Sequence, residues 1–141
     1  MRKVLIVISV CFVVAATLTV FAQTRDLQPM MKEIQPTFAG ITAGVRGGRG
    51  MSGADVVKDA EKLQKLFQEV GAFMKEKKIE DAVGFAKEAE TAATEMARAA
   101  KANEADPIFA AQKTIAKQCT TCHAAHREQD PATKAFKLKQ R

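Results

Sequence analysis

Four stretches of this chain repeat apolar residues at alternating steps of four and three, and that spacing dictates helices. Leu27, Met31, Ile34, Phe38, Ile41 and Val45 form the first set, and Val56, Ala60, Leu63, Phe67, Val70 and Met74 the second. Ala82, Ala86, Ala89, Ala93, Met96 and Ala100 form the third. Ile108, Gln112, Ile115, Cys119, Cys122 and His126 form the fourth, with Gln112 the polar exception. A helix turns about 100° per residue, so each set runs along one stripe. Four segments of about 20 residues make rods of about 30 Å that pack nearly antiparallel, at about 20°. Composition agrees: the chain is Ala-rich and 47% apolar, with four Pro and neither Trp nor Tyr, which favours helix over sheet. The expected fold is all-α, an antiparallel four-helix bundle over residues 23–128.

The boundaries of these helices carry unequal signals. Gly44, Gly47, Gly48, Gly50 and Gly53 break the chain after the first, and Ser52 with Asp55 is a capping pair for the second. Asp106 reads as an N-cap with Pro107 at the first helical position of the fourth. Between the second and third helices, Lys75, Lys77 and Lys78 suit a C-terminus and Glu80 and Asp81 an N-terminus, with no Gly or Pro at the turn. Pro36 falls inside the first helix and is expected to kink it, because it cannot donate to the carbonyl of Lys32. The Arg46-Gly-Gly-Arg-Gly50 run lacks interleaved aromatic residues and reads as a flexible connector rather than an RNA-binding tract.

Residues 1–22 read as a signal peptide. Arg2 and Lys3 precede a nearly unbroken apolar run from Val4 to Ala16, and Val20-Phe21-Ala22 ends in small-residue cleavage chemistry. The expected location is the periplasm. The alternative is an inner-membrane anchor made by residues 4–22, a stretch nearly long enough to span a bilayer, which would then be the only membrane contact. Bulky Val10 before Cys11 argues against a lipoprotein. Removing Arg2 and Lys3 lowers the formal charge from +6 to +4, too modest to suggest a nucleic-acid partner.

Without the leader, Cys119 and Cys122 are the cysteines that remain, and they stand in Cys119-Thr-Thr-Cys122-His123. Two thiols three apart, with an imidazole next to the second, form the attachment signature of a c-type haem. On a helix the three side chains fall within an arc of roughly 100°. Both sulfurs can reach the vinyl groups of one porphyrin while His123 rises to the iron as its proximal ligand. Two rival readings exist. A thiol redox pair wants a βαβ context that this helical chain lacks. Zinc could use Cys119, Cys122, His123 and His126, although structural zinc sites usually draw ligand pairs from separated segments.

An exported chain of four helices with Cys-x-x-Cys-His near the end of the last resembles the cytochrome c′ family, the class II c-type cytochromes. The resemblance implies one covalently attached haem c on Cys119 and Cys122, with iron held by His123. Arg127 matches a basic residue that the family keeps beside the proximal site. Met31 falls where the family places the residue facing the distal side of the iron, and members with Met there resemble low-spin electron carriers. Met30, about 100° round the helix, competes for that role, and the stripe favours Met31, four after Leu27 and three before Ile34. Methionine also fills apolar cores without any metal. The family commonly carries an aromatic residue where this chain has His126, and its members are often homodimers.

The expected function is therefore electron transfer between other redox proteins, with no substrate turned over and no enzymatic activity. The alternative is a five-coordinate protein that binds nitric oxide or carbon monoxide at an open iron. Residues 129–141, with Lys134, Lys137, Lys139 and Arg141, read as a basic, flexible tail.

Overall fold

The computed structural model describes residues 26–46 and 53–139. The leader, Ser52 and most of the Gly-rich connector lie outside these residues. Four helices make up most of what is described: α1 (Leu27–Arg46), α2 (Gly53–Glu76), α3 (Glu80–Ala102) and α4 (Ala105–His126). A short antiparallel hairpin follows, β1 (Arg127–Gln129) and β2 (Phe136–Leu138). The fold is thus mostly helical and bundle-like. Among the described residues no helix is long and apolar enough to cross a membrane.

Successive helices run antiparallel. Lys101, late in α3, pairs with Glu61, early in α2, at 2.7 Å. Gln118 of α4 donates to Glu88 of α3, and His126 at the end of α4 meets Asp81 at the start of α3. Lys62 of α2 reaches Glu33 of α1 at 3.3 Å. Extended close approaches of backbone join α2 to α3, α3 to α4 and, over a shorter length, α1 to α2; α1 and α4 have none comparable.

The stripes of α2 and α3 are buried residue for residue as the spacing predicts. In α3, Ala92, Ala97 and Ala99 are buried as well, because α3 is packed between α2 and α4 and small side chains let both approach. On α1 and α4 the deepest line is turned from the predicted stripe. Met30, Ile34, Thr37 and Ile41 are buried on α1, and Ala111, Ile115, Gln118 and His126 on α4. Leu27, Met31, Phe38 and Val45, with Ile108, Cys119 and Cys122, are half-buried at the border of the core.

The turn between α2 and α3 has a device that the sequence does not advertise. Lys78 adopts a left-handed φ of 58°, with its N–H on the Lys75 carbonyl and the next N–H, of Ile79, on that of Met74. Asn103 (φ 57°) repeats the pattern after α3, with bonds to Ala100 and from Glu104 to Ala99. Both are Schellman closures, and the buried pair Ile79 and Met74 supplies the usual apolar contact of the first.

Other boundaries correct the sequence reading. α1 runs through Gly44 and Pro36, and the Thr37 hydroxyl donates to the Glu33 carbonyl at 2.8 Å. α4 begins at Ala105, so Asp106 and Pro107 lie in its first turn instead of at the cap and first position. Residues from 129 onward, expected as a flexible tail, carry β2 of the hairpin. Asp130 closes its tip by accepting from the N–H groups of Ala132 and Thr133 and from the Thr133 hydroxyl. The Lys139 N–H then donates to the His126 carbonyl at 2.8 Å, so the hairpin lies back against the end of α4.

Candidate functional site

The helical periodicity of α4 brings Cys119, Cys122 and His123 onto one arc, and all three are half-buried. Both thiols are free. Burial, with Cys122 adding a smaller push, raises the Cys119 thiol to about 11. Burial first and then the charge of Asp81 raise the Cys122 thiol. Burial first and then Arg127 lower the His123 imidazole from its ordinary value. The arc thus presents two neutral thiols and an imidazole whose lone pair is free to donate to a metal.

Two hydrogen bonds define what faces this arc. Gln112 of α4 donates to the Thr42 hydroxyl of α1 at 3.0 Å. Near the other end, Gln28 of α1 donates to the Phe136 carbonyl at 3.2 Å, and Phe136 is paired with Gln129, just after α4. The start of α1 therefore lies by the end of α4, and the two run antiparallel. Met31 precedes Thr42 by eleven residues, and His123 follows Gln112 by eleven. Eleven residues are three turns to within about 20° and advance about 16 Å. Met31 returns to the side of α1 that Thr42 turns to α4. His123 returns to the side of α4 that Gln112 turns to α1, at the matching level.

This register separates Met31 from Met30 for a reason other than the one the stripe suggested. Met30 is the core residue, 4% exposed, while Met31 is half-buried at the border of the core. The stripe expectation that Met31 is the deeper of the two is corrected: α1 packs on α2, which turns Met30 inward.

By helical count Met31, Phe38, Cys119 and His123 lie within about 40° of the sides of α1 and α4 that carry Thr42 and Gln112, and no extended close backbone approach joins the two helices. The donor set of the arc, two free thiols and an imidazole on one side of α4, fits a haem attached through α4.

The remaining predicted residues are placed differently. Arg127 caps α4, is exposed, and holds its guanidinium 4.3 Å from the centroid of the Phe136 ring. His126 is buried and bonded to Asp81, so it is not gathered with Cys119, Cys122 and His123 as the zinc reading requires. Among the described residues no three His, Cys, Asp or Glu form a group able to hold a metal ion. Thr42 and Gln28, which set the register, were not singled out from sequence. The one signal was Gln112, a polar residue on an apolar stripe. The chain matches no family model, no curated protein and no solved structure with which it was compared.

Proposed function

We propose that the chain is an exported carrier of single electrons, an up-down-up-down four-helix bundle with one covalently attached haem c, working between other redox proteins and turning over no substrate. Cys119 and Cys122 hold the haem as thioethers, His123 is the proximal ligand to its iron and Met31 the distal one. When bound, the haem supplies a ferrous–ferric couple, and His and Met ligation raises its potential. The protein's part is to hold these ligands in place through both oxidation states and to keep water from the ring with Leu27, Phe38 and Ile108. Arg127 keeps a positive charge at the proximal end of α4. A cleaved leader places the protein in the periplasm.

The bond from Gln112 to Thr42 supports this reading best, because Met31 and His123 each stand eleven residues, three helical turns, from it along antiparallel helices.

The test is the optical spectrum of the exported protein, oxidised and then reduced, before and after carbon monoxide. Sharp reduced α and β bands that the gas does not move are expected. A broad reduced band that shifts with the gas sinks the Met31 assignment and leaves a five-coordinate binder of nitric oxide or carbon monoxide. Colour removed by acid-acetone extraction defeats covalent attachment altogether.

A further inference from the structure

The hairpin after α4 has no part in the attachment motif, yet it touches both helices that flank the candidate site. Three contacts fasten it to the end of α4. The Lys139 N–H donates to the His126 carbonyl at 2.8 Å, and the Lys139 ammonium to the Ala124 carbonyl at 3.1 Å. Leu138 packs at the border of the core. A fourth contact crosses to α1, where Gln28 donates to the Phe136 carbonyl at 3.2 Å. Gln28 is in the first turn of α1, capped by Asp26 through the Gln28 N–H, and Met31 is three residues further on. The Arg127 guanidinium over the Phe136 ring holds β2 from the other side.

We infer that this hairpin is a strap that governs the sixth position of the iron, by tying the turn of α1 that carries Met31 to the turn of α4 that carries His123. The inference rests on the proposed haem ligation. Its physical basis is the lack of an extended close backbone approach between α1 and α4, which gives the contacts at the two ends more weight in holding the flanks together. At one end, among the described residues, this is the bond from Gln112 to Thr42, and at the other it is the strap. A strap that loosens lets Met31 move away and opens the iron to small ligands, so Gln28 and Lys139 are positioning residues.

The test uses the full haem-loaded chain. Gln28→Glu keeps the shape but cannot donate to the Phe136 carbonyl. A carboxylate in the first turn of a helix favours the helix, so any loosening does not come from weakening α1. Lys139→Pro removes the N–H at the other end of the strap, beyond the last residue of β2. Gln28→Glu is expected to combine with carbon monoxide about fivefold faster than the parent, the weight of one net hydrogen bond, and Lys139→Pro, which also loses the ammonium bond to the Ala124 carbonyl, at least as much faster. Amide exchange over residues 31–34 should quicken by about the same factor, with α2 amides unchanged. Parent-like gas binding and exchange in both variants overturns the inference, and so does exchange that quickens equally in all four helices. If the parent itself already binds the gas at an open iron, the Met31 reading is what fails. The strap is then judged by exchange alone: local quickening over 31–34 supports a strap between α1 and α4, and its absence rejects it.

Discussion

His126 lies 3% exposed with its Nε2 2.9 Å from the Oδ2 of Asp81, which fastens the last turn of α4 to the first turn of α3. The imidazole fills an apolar position of the stripe and still meets a polar partner, with the Phe85 ring 6.5 Å away, centroid to centroid. The turn that carries His123 is therefore held from the α3 side whatever lies on the α1 side.

Removing that ring should be felt in stability. His126→Ala loses packing and a hydrogen bond together, an expected cost of about 2–3 kcal/mol in urea unfolding. His126→Phe restores the volume and leaves Asp81, which is half-exposed, to water, so it should cost about 1 kcal/mol. Equal costs for the two would mean that the hydrogen bond, rather than the filled space, holds the turn.

If the proposed haem ligation holds, the two methionines should separate cleanly. Met30→Ala empties a core site and should lower stability by about 2–4 kcal/mol while leaving the reduced spectrum and its indifference to carbon monoxide unchanged. Met31→Leu should barely alter stability, since volume-conserving swaps cost less than about 1.5 kcal/mol, yet render the iron reactive to the gas. Gas reactivity in the Met30 variant alone would transfer the ligand role to Met30.

Lys78 holds a left-handed conformation that glycine adopts at no steric cost. Lys78→Gly should therefore raise stability by about 1 kcal/mol, read as a shift of the urea midpoint with an unchanged slope. A loss of stability would show that unfolded-chain entropy outweighs the strain.

The hairpin tip should be sensitive to strong acid. Hydrogen bonds from the Thr133 N–H, the Thr133 hydroxyl and the Ala132 N–H, in that order, hold the Asp130 carboxyl down at about 2. Its unfolded value is about 3.9, so the contribution to tip order is complete above that pH and is lost as pH falls through about 2. Amide signals of Ala132 and Thr133 should move with a midpoint near pH 2. A midpoint at the ordinary carboxylate value would show that the tip does not hold Asp130 in solution.

Helix number, the stripes of α2 and α3, and the single arc of Cys119, Cys122 and His123 were legible in the sequence, because each rests on 3.6-residue periodicity within one segment. The turn at Lys78 was not, since a lysine in the left-handed region has no composition signal. The hairpin was missed because a run of charged residues reads as solvated chain. Its order comes from hydrogen bonds made by the backbone and by Asp130, to which residue type is a weak guide. The stripes of α1 and α4 were displaced because amphipathicity marks a helix's apolar side without saying which neighbour it faces.

The sequence by itself determined that the chain makes helices and that two thiols and an imidazole share one face of the last. Local periodicity and residue chemistry suffice for both. Only the tertiary structure decided that α1 turns Met30 rather than Met31 into the core, that α1 and α4 make no extended close backbone approach, and that a hairpin joins their ends. These are relations between segments about 90 residues apart in the chain, set by how α1 packs on α2 and by the bonds of Gln112 and Gln28. No local pattern can encode such a register, because it exists only once the helices have met.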